Sequence, residues 1–322
     1  MFDRSLKIID CHCDTIALFG REDYDFSSRN STGHLDLPRL REGGVGLQFF
    51  AVCTAPVAEH HPLHRALEMI GRYRRVIEGL PSVQRIEGPA DLEIARKEGR
   101  LGALLALEGA EPLEGSVELL EIFALLGVRA LSLTWNRRNH FADGVGESAA
   151  AAGLTRAGRK LVRELSRRGI VLDLAHLAPA PFDQALELSE RPPLVSHANA
   201  GALCSHPRNL GDGQLKALAA RDGVIGLSFY PYFITGRPEA SLEQLLDHFV
   251  HVAGLVGVEH LACGSDFDGI EETVTGLDDA TSYPVLLEGL RQRGFRPAEI
   301  ELIAWGNVER LLQAHLGPAV PL

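Results

Sequence analysis

The stretch LKIIDCHCDT, Leu6 to Thr15, puts Asp10, Cys11, His12, Cys13 and Asp14 side by side, and each of these side chains can bind a metal ion. A strand has a side-chain period of two. If Lys7 to Thr15 is extended, Asp10, His12 and Asp14 share one face while Cys11 and Cys13 share the other. The stretch therefore offers an oxygen and nitrogen site or a thiolate site, on opposite faces.

Four other apolar runs end on similar chemistry. ALLALEG ends at Glu108, IVLDLAH at His176, PPLVSH at His197 and LACGSDFDG at Asp266. A lone histidine at the end of an apolar run is ordinarily a satisfied core residue, and Glu-Gly or Asp-Gly alone reads as a turn. The recurrence of such residues at one end of successive runs carries the signal. A His-x-Asp pair, a further carboxylate and two further imidazoles could hold two divalent ions. One carboxylate can bridge ions ~3.5–4 Å apart, and a water between them becomes hydroxide near neutral pH. Imidazole with carboxylate suits zinc, with manganese or cobalt as substitutes.

These groups need elements that bring them together. Eight strand candidates alternate with amphipathic stretches, in the order KIIDCHCDT, VGLQFFAVC, ALLALEG, VRALSLTW, IVLDLAH, PPLVSH, VIGLSFY and LACGSDFDG. LTRAGRKLVRELSRRG has helical spacing, with Thr155 near its start and Gly169 beyond its end, and SLEQLLDHFVHVAGLVG has Ser241 as its N-cap. Repeated strand–helix alternation is the pattern of an α/β protein with parallel strands, and eight units close a (β/α)8 TIM barrel whose carboxyl strand ends share one mouth. No Gly-x-Gly-x-x-Gly follows a strand, and no linker divides the chain, so residues 1–322 read as a single domain. The polar region from Phe19 to Gly44 reads as a long loop over one end.

Bulk properties narrow the partners. The 322 residues are 45% hydrophobic and 23% charged, as in ordinary soluble domains. A formal net charge of −11 argues against nucleic acid or an anionic membrane as partner. No apolar run has the length of a signal peptide or a membrane span. Five cysteines without a Cys-x-x-Cys pair fit buried thiols in a reducing compartment, so a cytoplasmic location is expected.

IIDCHCDT, ALEGAEPL, VLDLAHL, PLVSHANA, HPRNL, CGSDFDG and the closing WGNVERLL together resemble the membrane (renal-type) dipeptidase family of the amidohydrolase superfamily, along nearly the whole chain. The resemblance implies a two-zinc amidohydrolase barrel that cleaves dipeptides with an L- or D-residue at the C-terminal position. Carried over by motif, His12 and Asp14 bind one zinc, His176 and His197 bind the other, and Glu108 and a hydroxide bridge them. Asp266 is then the general acid/base, and Arg208 of HPRNL grips the free carboxylate of the substrate, a bidentate match that restricts the enzyme to short substrates. Asp10 becomes a supporting residue on the ligand face, while Cys11 and Cys13 pack as small hydrophobes. Relatives of this kind also suggest a homodimer.

One position departs from the family's pattern. Where better-known members carry a histidine that helps hold the substrate carbonyl oxygen, this chain has Trp135 in LSLTWNRRNHFADG. An indole N–H donates but carries no charge, and loss of an oxyanion donor costs ~10²–10³ in rate unless replaced. Asn136, Arg137 and His140 are candidate replacements; otherwise Trp135 walls the pocket. Tyr230 and Tyr232 are candidates to line the substrate pocket, and Asp268 is expected to shape its turn. His60, His61 and His64 are read as a surface loop. The rival readings are a hydrolase of another amide or a lactone, and a metal-binding relative without catalysis.

Overall fold

A computed structural model describes residues 7–55, 61–150 and 152–316. Its parallel strands are β1 (Ile8–Cys13), β2 (Val45–Cys53), β3 (Val83–Arg85), β4 (Leu101–Glu108), β5 (Val128–Ser132), β6 (Val171–Asp173), β7 (Leu194–Ala198), β8 (Val224–Leu227) and β9 (Leu261–Cys263). β1 lies between β2 and β9, and the ladder runs on from β9 through β8, β7, β6 and β5 to β4. β2 pairs with β4 from Leu47 opposite Gly102 to Cys53 opposite Glu108, which closes an eight-stranded barrel. The fold is the expected (β/α)8 TIM barrel.

All eight expected strands form, and β3 is an addition. It pairs with only the first residues of β4, Val83 opposite Leu101 to Arg85 opposite Ala103, outside the closing ladder. Three residues are too few to show a period. The strands are almost wholly buried, as parallel strands packed on both faces must be. Cys11 belongs to an apolar layer with Ile9, Leu47 and Phe49, and Cys13 to the larger core with Ile16 and Phe50.

The two helices read from their caps are present. Arg156–Arg168 starts where the Thr155 hydroxyl accepts the Gly158 N–H at 3.0 Å. Leu242–Val256 starts at a capping box, Ser241 accepting from Gln244 N at 3.3 Å while Gln244 Oε1 accepts from Ser241 N at 2.9 Å. Between Phe19 and Gly44 the expected loop contains a helix, Leu37–Glu42, whose N-cap Asp36 accepts from Arg39 N at 2.9 Å. Six residues are too few to show a helical period, so the segment reads as loop. His61 is exposed, and His64 is exposed on the helix Pro62–Glu78 rather than in a loop; His60 lies outside the described residues.

Several strands stop earlier than expected, β5 at Ser132 and β8 at Leu227 as well as β6 and β9. The regular strands end at Asp173 and Cys263, and His176 and Asp266 stand three residues further on, both at φ 68°. A left-handed residue departs from regular strand geometry, and past Asp266 only a single parallel bridge, Cys13 with Phe267, ties the chain to the end of β1. The backbone packs closely beneath His197, where a Cβ on Gly264 would stand 1.9 Å from the Ser196 carbonyl oxygen. Gly264→Ala should destabilise the protein by ~3 kcal/mol through a clash with backbone, read as a lowered thermal midpoint against wild type.

Candidate metal centre

β1 carries His12 as its penultimate residue, and Asp14 stands just past the strand end. The His12 Nε2 stands 3.2 Å from Asp14 Oδ2, 3.7 Å from Glu108 Oε2 and 4.0 Å from Asp266 Oδ1. The other Glu108 oxygen faces the opposite way, with Oε1 at 2.8 Å from His176 Nε2 and 3.5 Å from His197 Nε2. These two imidazole nitrogens are themselves 3.0 Å apart. The expected ligand residues thus converge around one carboxylate, with the His12 and His197 ring centroids 3.8 Å apart. His12, Glu108 and His197 form one trio of potential ligands, and His12, Asp14 and Asp266 form another.

Supporting bonds orient these rings. Asn136 Oδ1 stands 2.8 Å from His176 Nδ1, and Ser196 Oγ stands 2.8 Å from His197 Nδ1. The Ser196 hydroxyl donates to Asp173 Oδ2 at 2.5 Å, so its oxygen is free to accept the Nδ1–H of His197. Both histidines then present bare Nε2 lone pairs to the centre, as metal-ligating imidazoles do. Burial pulls both rings well below the ordinary imidazole value, which keeps them neutral. Burial also pulls His12 down, but Glu108, the Asp14 hydrogen bond and Asp266 outweigh it and hold His12 up at about 10.

Asp10 supports this arrangement without facing the centre. Its Oδ1 accepts from Ser265 N at 2.8 Å, and its Oδ2 accepts from Ser265 Oγ at 2.6 Å and Gln48 Nε2 at 2.9 Å, tying β1 to β2 and to the chain after β9. Burial, with Asp14 and Glu108, pushes Asp266 up to about 7 against the pull of His12 and Arg208, and Ser228 donates to its Oδ2 at 3.3 Å. A Cβ on Gly269 would stand 2.2 Å from Asp14 Oδ2 and 3.1 Å from Asp266 Oδ1, so the bare Cα makes room for both carboxylates.

Arg208 is buried beside the His197 backbone, whose carbonyl accepts from Nη2 at 2.9 Å, and its guanidinium lies over the Phe233 ring. Its Nε is buried without a hydrogen-bond partner. Such a donor wants an incoming acceptor. Trp135 is half-buried and stacks on His176 with ring centroids 5.9 Å apart. Of the candidate replacements for an oxyanion histidine, Asn136 is engaged with His176, His140 packs its ring over Gly115, and Arg137 is exposed. Tyr230 packs against Tyr232 and Phe233, and its N–H donates to Ser228 Oγ at 3.1 Å, one step from Asp266.

Three participants escaped the sequence reading. Asp173 and Ser196 orient His197; a carboxylate inside the apolar run VLDL was the available signal. Cys53 is one of the five thiols the sequence offers without a ligand spacing, yet its sulfur lies within 4.8 Å of carboxylate oxygens of Asp14 and Glu108, because the β2–β4 register puts it opposite Glu108. Cys11 and Cys13 are buried, and neither belongs to a potential ligand group among the described residues. Neutral imidazoles and clustered carboxylates are the donor set of a divalent ion of the zinc, manganese or cobalt type, so the residues present fit a metal centre.

Comparisons with known proteins agree with this geometry. The family model described as membrane dipeptidase (Peptidase family M19) matches residues 2–316. An uncharacterised dipeptidase of Schizosaccharomyces pombe is 33% identical over 326 residues, covering 94% of this chain and 80% of its own. The crystal structure of dipeptidase AC, a metallopeptidase of family M19, superposes with a TM-score of 0.90 at 30% identity, covering 98% of this chain and 100% of its own. A Rhodobacter sphaeroides metallopeptidase liganded with a phosphinate mimic of the dipeptide L-Ala-D-Ala gives 0.90 at 29%, covering 97% and 99%. Among the described residues no helix is long and apolar enough to cross a membrane.

Two outcomes follow from the proton and hydrogen-bond pattern. His12 sits well above its ordinary value and keeps its proton at pH 8, so a cation that takes its lone pair must expel that proton. Zinc added to chelator-stripped protein at pH 8 should release about one proton per chain, measured with an indicator dye, and His12→Gln should abolish the release. Asp173→Asn should weaken metal affinity ~10–100-fold, measured by competition with a chromophoric chelator.

Proposed function

The chain belongs to the membrane dipeptidase family, and from that premise we propose that it hydrolyses dipeptides of the L-Xaa-D-Xaa or L-Xaa-L-Xaa kind at a two-zinc centre. His12 and Asp14 would hold one ion and His176 and His197 the other, with Glu108 offering an oxygen to each. The observation that carries this reading is the division of Glu108, Oε2 toward His12 and Oε1 toward His176 and His197. Two divalent ions bound there would acidify a water shared between them and polarise the scissile carbonyl, with manganese or cobalt able to substitute for zinc.

The chain's own residues do the rest. Arg208 receives the free carboxylate of the substrate, using donors that include its unpartnered Nε. That grip fixes the scissile bond at the mouth and selects substrates that end one residue beyond it. Asp266 takes the proton of the attacking water and delivers it to the amine nitrogen as the C–N bond breaks. A carboxyl held at about 7 is matched to both transfers. Trp135 and Tyr230 wall the space beside His176 and Asp266. The likeness to a structure that holds a mimic of L-Ala-D-Ala supports a D-residue at the C-terminal position.

Trp135 also favours a second reading, an amide or lactone hydrolase on the same centre, since it supplies no charged oxyanion donor. Amine release from a panel of L-L and L-D dipeptides separates the two. Zinc-loaded protein should cleave the panel and chelator-stripped protein should not. Asp266→Asn should keep its metal and lose ~10²–10⁴ in kcat. Survival of every dipeptide with two ions bound per chain would transfer the function to lactones and other amides.

A further inference from the structure

Asp268 takes no part in the reaction above, yet its side chain is only 1% exposed and every oxygen on it is used. Oδ2 accepts from Thr15 Oγ1 at 2.6 Å, and Oδ1 accepts from the His34 N–H at 2.5 Å. In return the Asp268 N–H donates to His34 Nδ1 at 2.9 Å. The pairing is reciprocal, and its partner comes from the polar segment before the helix Leu37–Glu42, far away in the chain.

That segment is a strap fixed at both ends. The Arg39 guanidinium donates to the carbonyls of Gly33 at 2.7 Å and Thr32 at 3.2 Å, and to Asp36 Oδ2 at 2.8 Å. The His34 carbonyl accepts from Ala280 N at 3.1 Å, and its ring lies 5.4 Å from that of Phe267. What the strap holds is a turn with reason to relax. Asp266 at φ 68° and Asp268 at φ 65° are both left-handed, and neither is glycine. Such backbone persists only where its surroundings over-determine it. The turn's other backbone ties run to β1 and its end, Asp266 N to the His12 carbonyl at 3.3 Å and Asp14 N to the Phe267 carbonyl at 2.9 Å.

We propose that His34 is a positioning residue: by clasping Asp268 it locks the Asp266–Gly269 turn against Thr15 and so aims the Asp266 carboxylate into the mouth. This rests on Asp266 as the proton carrier of the proposed function. The clasp requires a ring whose Nδ1 is an acceptor, so an amide oxygen at the same reach from Cβ can replace it and a methyl cannot.

The test compares His34→Ala and His34→Asn in the zinc-loaded full chain, measuring kcat and KM on a dipeptide, metal content, thermal midpoint, and hydrogen exchange across residues 266–269. His34→Ala should lose about 100-fold in kcat, the scale of an ångström's misplacement of a reacting group. Its KM should stay within about threefold, because Arg208 is untouched, and its metal content should not change. The Asp268 amide should exchange faster in His34→Ala, and His34→Asn should restore both kcat and protection. Equal kcat in the two variants overturns the clasp, as does a loss in His34→Ala that merely follows falling metal content or folded fraction. If wild type holds its metals but cleaves no dipeptide, the substrate assignment fails instead. Exchange at Asp268 then decides the clasp alone, faster in His34→Ala supporting it and unchanged exchange overturning it.

Discussion

Glu108 faces two ways, and the site is organised around that fact. Its two oxygens address different imidazole groups across a mouth that also contains Asp14, Asp266 and Arg208, all of them largely withdrawn from water. Three carboxylates so close repel one another and lose hydration, which costs folding energy unless positive charge is brought among them. His12 answers by holding a proton far above its ordinary range, and Arg208 lends its charge from the His197 side. A pair of divalent cations answers the same need more fully, and in our reading that is what the mouth is built to receive.

A crowded charge cluster keeps its shape only if each member is braced, and the barrel supplies braces in a regular way. Ser265 and Gln48 hold Asp10 and thereby β1; Asp173 through Ser196 holds His197; Asn136 holds His176; Ser228 reaches Asp266. Most of these bonds cross between neighbouring strands or the turns that follow them, so the register that closes the barrel also sets the angles of the rings. The tight contact of Gly264 with the Ser196 carbonyl belongs to the same economy of space, as does the bare Cα of Gly269 beneath Asp14. Rigidity is concentrated where misplacement by an ångström would matter most.

Much of this was legible in the sequence because apolar runs ending in His, Asp or Glu are uncommon and parallel strands point all such ends one way. The eight closing strands, the ligand face of the first, and the convergence of His12, Asp14, Glu108, His176, His197 and Asp266 could be read from alternation and strand ends. Where strands stop could not. His176 and Asp266 are left-handed without being glycine, and nothing in IVLDLAH or LACGSDFDG announces it. Cys53 reaches the site only through the β2–β4 pairing, which skips the short β3, a fact of register rather than of composition. The strap around His34 was hidden because its order comes from side-chain to backbone bonds, which leave no periodic trace.

The central claim is that one carboxylate joins two ions. Anomalous diffraction at the zinc edge from crystals of the metal-loaded protein tests it most directly. The account predicts two peaks per chain, ~3.5–4 Å apart, with Glu108 between them, one beside His12 and Asp14 and the other beside His176 and His197. A single peak, or two peaks of which one has no contact with Glu108, would contradict it.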